Sequence, residues 1–171
     1  MYYGGLTKPS LDFVTQEALK FVTIKPNSHE RLHLDVAPSS YLLTVDHASE
    51  AQMIELVNGE RTKVGLPVLR VEEKLVSIAR DHSRDMFERR YFSHYSPEGH
   101  DVGYRARQEG VEYSLIGENL AYAPDVELAH SGFMNSEGHR SNILDPAWSR
   151  IGIGVIDADM YGKMFTQVFM K

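Results

Sequence analysis

From Ala48 onward, apolar residues recur at the spacing of amphipathic helices. Met53, Leu56 and Val57, followed by Glu60, outline a first helix that Ser49 is placed to cap and that Gly65-Leu66-Pro67 ends. A second helix is predicted from about Glu72 to Arg89, with Leu75, Ile78, Ala79, His82 and Met86 on one face. Tyr91 to Gly99 reads as a loop, because Ser96-Pro97-Glu98-Gly99 is a turn-rich run. Asp101 is placed to cap a third helix that stops at Gly110, and Asp125 a fourth that runs through Met134. A shorter helix follows across Gly138 to Leu144, before Pro146. The period then changes from helical to alternating. Ile151, Ile153 and Val155 alternate, a turn falls near Tyr161-Gly162, and Met164 to Met170 returns as a partner strand. This order predicts helices on both sides of a small antiparallel sheet.

Residues 1–46 lack these long periodic patterns and hold three of the seven prolines, Pro9, Pro26 and Pro38. Ser10 is placed to cap a short helix with Leu11, Val14, Ala18 and Val22 on one side, and Leu42, Leu43 and Val45 suit a brief strand. The segment reads as an arm or linker, not as a second domain, with the main domain spanning residues 47–171. Its proline-punctuated character suits a tether to something upstream, such as a membrane-anchored part.

Composition narrows the function classes. A chain of 171 residues with 42% apolar and 25% charged residues is sized for one domain with a packed core. Its 24 acidic against 18 basic residues give a net charge of −6, which argues against a nucleic-acid partner, since that affinity rests on neutralising phosphates. No stretch approaches the ~20 consecutive apolar residues of a membrane span. The absence of cysteine removes disulfides, thiolate metal sites and cysteine nucleophiles together. Met1-Tyr2-Tyr3-Gly4-Gly5 does not open a signal peptide, having no basic region before an apolar run.

Common hydrolase signatures are missing: there is no His-Glu-x-x-His, Gly-x-Ser-x-Gly or Ser-x-x-Lys, and no glycine-rich phosphate loop. The chemistry-bearing residues lie instead in polar segments where the pattern breaks. These are Tyr91 to His94, Gly117 to Leu120, and Asn135 to Leu144. Leu56-Val57-Asn58-x-Glu60-Arg61, Phe92-Ser93-His94, Gly117-Glu118-Asn119-Leu120, Gly138-His139-Arg140-x-Asn142-Ile143-Leu144, Gly152-x-Gly154 and Thr166-Gln167-Val168-Phe169 occur in that order. The ordered set, over about residues 48–171, resembles a bacterial CAP domain, also called the SCP domain, of the superfamily of cysteine-rich secretory, antigen-five and pathogenesis-related class 1 proteins. The resemblance implies an α+β fold, a three-layer α-β-α sandwich, and an extracellular or cell-envelope location.

It also implies a cleft with two histidines and two acids. Matched motif by motif, the first histidine is His94, the Gly-Glu-Asn acid is Glu118 and the second histidine is His139. The second acid normally lies three residues after a Trp; here Phe133 holds the Trp position and Ser136 the acid position. Some family members hold a divalent ion between the two histidines.

Physically, His94, His139 and Glu118 suit a divalent metal such as zinc, because two neutral imidazoles and a carboxylate match open zinc sites. Loss of the second acid weakens the field that would hold a cation. The competing reading is a hydrogen-bonded polar cluster that braces loops. Ser136 and His139, at i and i+3, would with Glu118 imitate a Ser-His-acid triad, against which stands a plain capping role for Ser136. His82 is expected in the core or at the cleft rim, and His29, His33, His47, His100 and His130 at the surface. Asn119 is expected to hold loop backbone beside Glu118, and Trp148 to pack. Together these readings predict an exported or envelope-associated module whose His/Glu cleft binds a ligand or a metal, the ligand being a lipid, protein or other envelope component. The alternative is a metal-dependent, peptidase-like hydrolase using the same cleft.

Overall fold

The computed structural model describes residues 21–171; the predicted Ser10-capped helix therefore lies outside the described residues, except that Val22 belongs to a strand. In chain order the elements are β1 (Val22–Thr23), β2 (Leu32–His33), β3 (Thr44–Val45), α1 (His47–Lys63), β4 (Arg70–Val71), α2 (Glu73–Glu88), β5 (Tyr91–Phe92), α3 (Val102–Gln108), β6 (Ile116–Ala123), α4 (Val126–Asn135), α5 (Glu137–Ile143), β7 (Arg150–Asp157) and β8 (Lys163–Met170). The main sheet runs β1-β6-β8-β7-β3 with every pair antiparallel, and β4 joins β7 in parallel. A separate two-stranded pair joins β2 to β5.

The layers follow from which side chains each strand presents. Ile151, Ile153 and Val155 of β7 and Ala121 and Ala123 of β6 pack on α1, α4 and α5 through Met53, Val57, Ala129, Phe133 and Ile143. The opposite face carries α2 and α3, with Leu75, Ile78, Ala79 and Ala106 against Val168 and Met170. Strands present alternate residues to opposite faces, so Gly152 and Gly154 lie under α2. A Cβ at Gly152 would stand 2.2 Å from the Leu75 carbonyl carbon, and one at Gly154 would stand 2.2 Å from the Arg80 amide nitrogen. The helix backbone therefore rests directly on the strand. The three-layer α-β-α sandwich is as expected.

Three local expectations change. The first helix is capped by Asp46, not Ser49: the Asp46 carboxylate accepts from the Ser49 amide at 3.0 Å and from its hydroxyl at 2.7 Å. The Tyr91–Gly99 segment is not all loop, since Tyr91 and Phe92 pair with His33 and Leu32. The largest change is β6. Gly117 to Leu120 reads as a polar break, yet it lies within an eight-residue strand that sits between β1 and β8. Its polar residues are buried and satisfied by side chains from other elements, which alternation cannot reveal. Within residues 21–45, β1 adds to the free edge of β6 and β3 to that of β7.

Candidate functional site

Glu118 and Asn119 are neighbours on β6 and so face opposite sides of the sheet. Around each, a different group of side chains assembles.

On the α2 face, Glu118 is buried with both oxygens engaged. Oε1 accepts from His94 Nδ1 at 2.9 Å, and Oε2 pairs with the Arg105 guanidinium from α3. Arg105 also donates to the carbonyls of His94 and His100 at 3.2 and 3.1 Å, so one guanidinium ties the acid to the loop that carries the histidine. His82 of α2 stands 4.0 Å from Glu118 and shares a hydrogen bond of 2.9 Å with the Ser93 carbonyl, which requires a proton on its Nε2. Burial alone would push the Glu118 carboxyl up, but Arg105, His82 and His94 outweigh it and hold the group down at about 2. Burial, then the Arg105 charge, push His82 down to about 3, so it is neutral at pH 7. His94 donates through Nδ1 to the carboxylate, and its Nε2 is buried without a hydrogen-bond partner. His94 and Glu118 line a cavity of about 120 Å³ with Asn27, Tyr95, Asp101 and Tyr113.

From the other side of β6, α5 carries His139 to the edge of the strand that β1 joins. There it lies near enough to His94 to feel its charge, so that the two groups meet as one cleft. The His139 Nε2 lies 2.8 Å from both Thr23 Oγ1 and the Ile24 carbonyl. A carbonyl only accepts, so Nε2 carries the proton, and Nδ1 accepts from the Ser136 hydroxyl at 2.7 Å. Burial lowers the His139 pKa, which keeps this neutral tautomer at pH 7. Ser136 occupies the N-cap position of α5 but makes no side-chain capping bond, its hydroxyl being turned to His139 instead. The Asn119 amide holds helix backbone and not the loop backbone expected of it. From inside the sheet it donates to the His139 carbonyl at 3.1 Å and to Gln167 Oε1 at 3.0 Å, while accepting from Asn142 at 2.9 Å. Arg61, fully buried, donates to the carbonyls of Ile143 and Asp145 and so anchors the C-terminal end of α5 to α1.

The structure thus brings the four expected residues together as two pairs, His94–Glu118 and Ser136–His139. The triad in which Glu118 orients His139 does not form, because Glu118 is taken by His94 and Arg105. Nor does the arrangement fit a three-ligand metal site. Both Glu118 oxygens and both His139 nitrogens are engaged, which leaves His94 Nε2 as the one unpartnered donor atom of the three residues. Among the described residues, no group of three or more His, Cys, Asp or Glu is disposed to hold a metal ion.

Arg105, Thr23 and Ile24 are the contributors that no motif marks. Arg105 lies one turn beyond the Asp101 cap, a position that signals a helix and nothing about its target. His82 is buried as expected, and Trp148 packs, its indole donating to the Asn142 carbonyl at 2.9 Å. His130, expected at the surface, is buried on α4 at 3.8 Å from Glu60, because the α1–α4 contact covers it.

Residues 54–169 match the model of the cysteine-rich secretory protein family, CAP. YkwD of Bacillus subtilis (strain 168) is 38% identical over 135 residues, covering 78% of this chain and 49% of that protein. YlbC of the same organism, described as a membrane protein, is 36% identical over 128 residues, covering 74% of this chain and 36% of its own length. The chain therefore spans half or less of the length of these relatives. A crystal structure of an extracellular SCP-domain protein from Bacillus anthracis str. Ames superposes with a TM-score of 0.68 at 35% identity, covering 74% of this chain and 41% of that one. No helix among the described residues is long and apolar enough to cross a membrane. With more than half of its length matching the family model and its fold shared with an SCP-domain structure, the chain belongs to the cysteine-rich secretory protein (CAP) family.

Proposed function

We propose that the chain is an exported or envelope-associated binding module, and that the cleft formed by His94, Glu118, Ser136 and His139 holds an envelope ligand by hydrogen bonding. The observation that carries this reading is His94 Nε2, a buried nitrogen without a partner on a residue that lines a cavity. A buried polar atom left unsatisfied costs about 1–3 kcal/mol, and a ligand donor would recover that energy. Glu118 and Arg105 hold the imbalance in place by locking the other side of the ring. The extracellular description of the Bacillus anthracis relative supports the location.

The test is cosedimentation of the full chain with purified Gram-positive cell-wall sacculi and, separately, with phosphatidylglycerol vesicles. Retention on one of them that is lost in His94→Ala is the expected result. Passage through both, or retention unchanged by the substitution, contradicts the reading.

One observation favours a metal as a second reading. A carboxylate on one imidazole nitrogen is the usual way that a metal-ligating histidine is oriented, and Glu118 stands so to His94. His139 would have to exchange its present partners to join it. Zinc titration by calorimetry near pH 7.5, against His94→Ala/His139→Ala, separates the two readings. Saturable uptake of one ion per chain, lost in the double variant, supports the metal site and makes a hydrolase assay worthwhile. No uptake leaves the hydrogen-bonding cleft.

A further inference from the structure

Residues 22–33 trace one continuous path across the cleft, anchored by main-chain hydrogen bonds at Val22–Ile24, Glu30 and Leu32–His33 and by side chains at Thr23, His29 and Arg31. Val22 and Thr23 pair with Tyr122 and Ala121 along the edge of β6. The Thr23 hydroxyl donates to the Leu120 carbonyl at 2.5 Å, and the Ile24 carbonyl accepts from His139. The chain then turns at Lys25-Pro26-Asn27-Ser28, where the Ser28 amide donates to the Lys25 carbonyl at 3.0 Å. Pro at the second position and a positive φ of 61° at Asn27 are the requirements of a type II turn, so the bend is encoded locally. Pro26 lies over Gly138, where a Cβ would stand 3.1 Å from its Cδ, and Asn27 reaches the cavity that His94 and Glu118 line. Beyond the turn, His29 stacks on Tyr95 with ring centroids 4.4 Å apart, and the Glu30 carbonyl accepts from Ser93 Oγ at 2.8 Å. Arg31 donates to the Ser96 carbonyl at 2.7 Å, and Leu32 and His33 pair with β5.

We infer that the cleft and the β6 edge form a binding site for an extended polypeptide segment, occupied in this chain by its own residues Thr23–Arg31. The inference rests on the reading of the cleft as a ligand site and names the ligand class. Strand addition to a sheet edge supplies affinity through backbone hydrogen bonds, and neighbouring pockets supply selectivity. Here the edge is β6, the backbone reader within the cleft is His139, and the selective positions are the small Gly138 surface and the Tyr95 ring. Apart from Ile24, which is buried among core residues, the segment is held by neutral hydrogen bonds, the His29–Tyr95 ring contact and one exposed arginine. A second polypeptide that offers the same pattern competes for the same atoms, although the tethered copy acts at an effective concentration of the order of millimolar and holds the site closed.

The test uses the full chain and a fluorescent synthetic peptide of residues 21–33, with a scrambled peptide as control. Thr23→Gly/Arg31→Ala weakens the internal segment and leaves every receiving residue intact. Its affinity for the peptide should exceed that of the unmodified chain at least tenfold, and adding His139→Ala should remove most of the gain. Gly138→Val, added to that variant, crowds the seat of Pro26 in the receiving site and should weaken the same peptide. Hydrogen exchange on the unmodified chain provides a reading that no substitution can confound. Amides of residues 23–31 should exchange at least 100-fold faster than those of β7 and β8. Equal peptide affinity in the variant and the unmodified chain, binding of the scrambled peptide, or segment amides that exchange only with the core would each overturn the proposal. Failure of the cell-wall and vesicle experiment with peptide binding intact would remove the envelope ligand and leave this site standing. The reverse pattern would leave the cleft a ligand site that does not take polypeptide.

Discussion

The two histidines of the cleft are held by different physics. His94 belongs to a charged group: a buried carboxylate, a guanidinium that neutralises it and a second, neutral histidine beside them. His139 belongs to an uncharged group, its two nitrogens taken by a serine hydroxyl on one side and by Thr23 and the Ile24 carbonyl on the other. A buried ion cannot lose its partner without a large cost, so the His94 side is rigid by electrostatics. Neutral hydrogen bonds contribute about 1 kcal/mol each, so the His139 side can exchange partners at modest cost. One half of the cleft is a fixed frame and the other is a latch.

The largest expected effect breaks the frame. Arg105→Met leaves Glu118 buried beside two histidines with no permanent cation, and should destabilise the chain by about 3–5 kcal/mol in urea unfolding. Arg105→Met/Glu118→Gln, which removes both charges, should recover much of that loss. Equal losses in the two variants would show that packing, not charge, holds this side.

Next comes pH. Glu118 has its folded pKa depressed from 4.5 to about 2, so its stabilisation is complete above 4.5 and is lost as pH falls towards 2. A shift of that size corresponds to roughly 3 kcal/mol. His82 is buried neutral with its pKa depressed from 6.5 to about 3, so its contribution is complete above 6.5 and is lost as pH falls towards 3. The urea midpoint should therefore be flat above pH 7 and decline from about 6.5 downward, and His82→Gln should flatten part of the upper decline. A midpoint unchanged between pH 7 and 4 would contradict the frame as described.

The smallest effects belong to the latch. Thr23→Val and Ser136→Ala should each cost about 1 kcal/mol in stability, because each removes neutral hydrogen bonds to a partly buried partner. Thr23→Val should also speed amide exchange in residues 24–28, whereas Ser136→Ala should not. Losses above about 3 kcal/mol from either would place the latch with the frame.

The difference also explains what could be read from the sequence. α2, α3 and α4, the short helix that carries His139 and the β7–β8 hairpin follow from periodicity and caps, because their apolar faces are continuous and their starts are marked by Asp101 and Asp125. His94, Glu118, Ser136 and His139 came from ordered motifs. β6 was illegible because Glu118 and Asn119 look like a break until partners from α3, α5 and β8 satisfy them. Arg105 and Thr23 were equally invisible, since their roles exist only where α3 and the 22–33 segment close on the same strand. Periodicity reports which face is buried, and it does not report which buried polar groups will find one another.

The most direct test of the frame and latch is the ¹⁵N chemical shifts of the imidazoles at pH 7, in the unmodified chain and in Thr23→Gly/Arg31→Ala. His139 should be neutral with its proton on Nε2, and its signals should move in the variant while those of His82 and His94 stay in place. A proton on Nδ1 of His139, a charged ring, or equal shifts at His94 and His139 would contradict it.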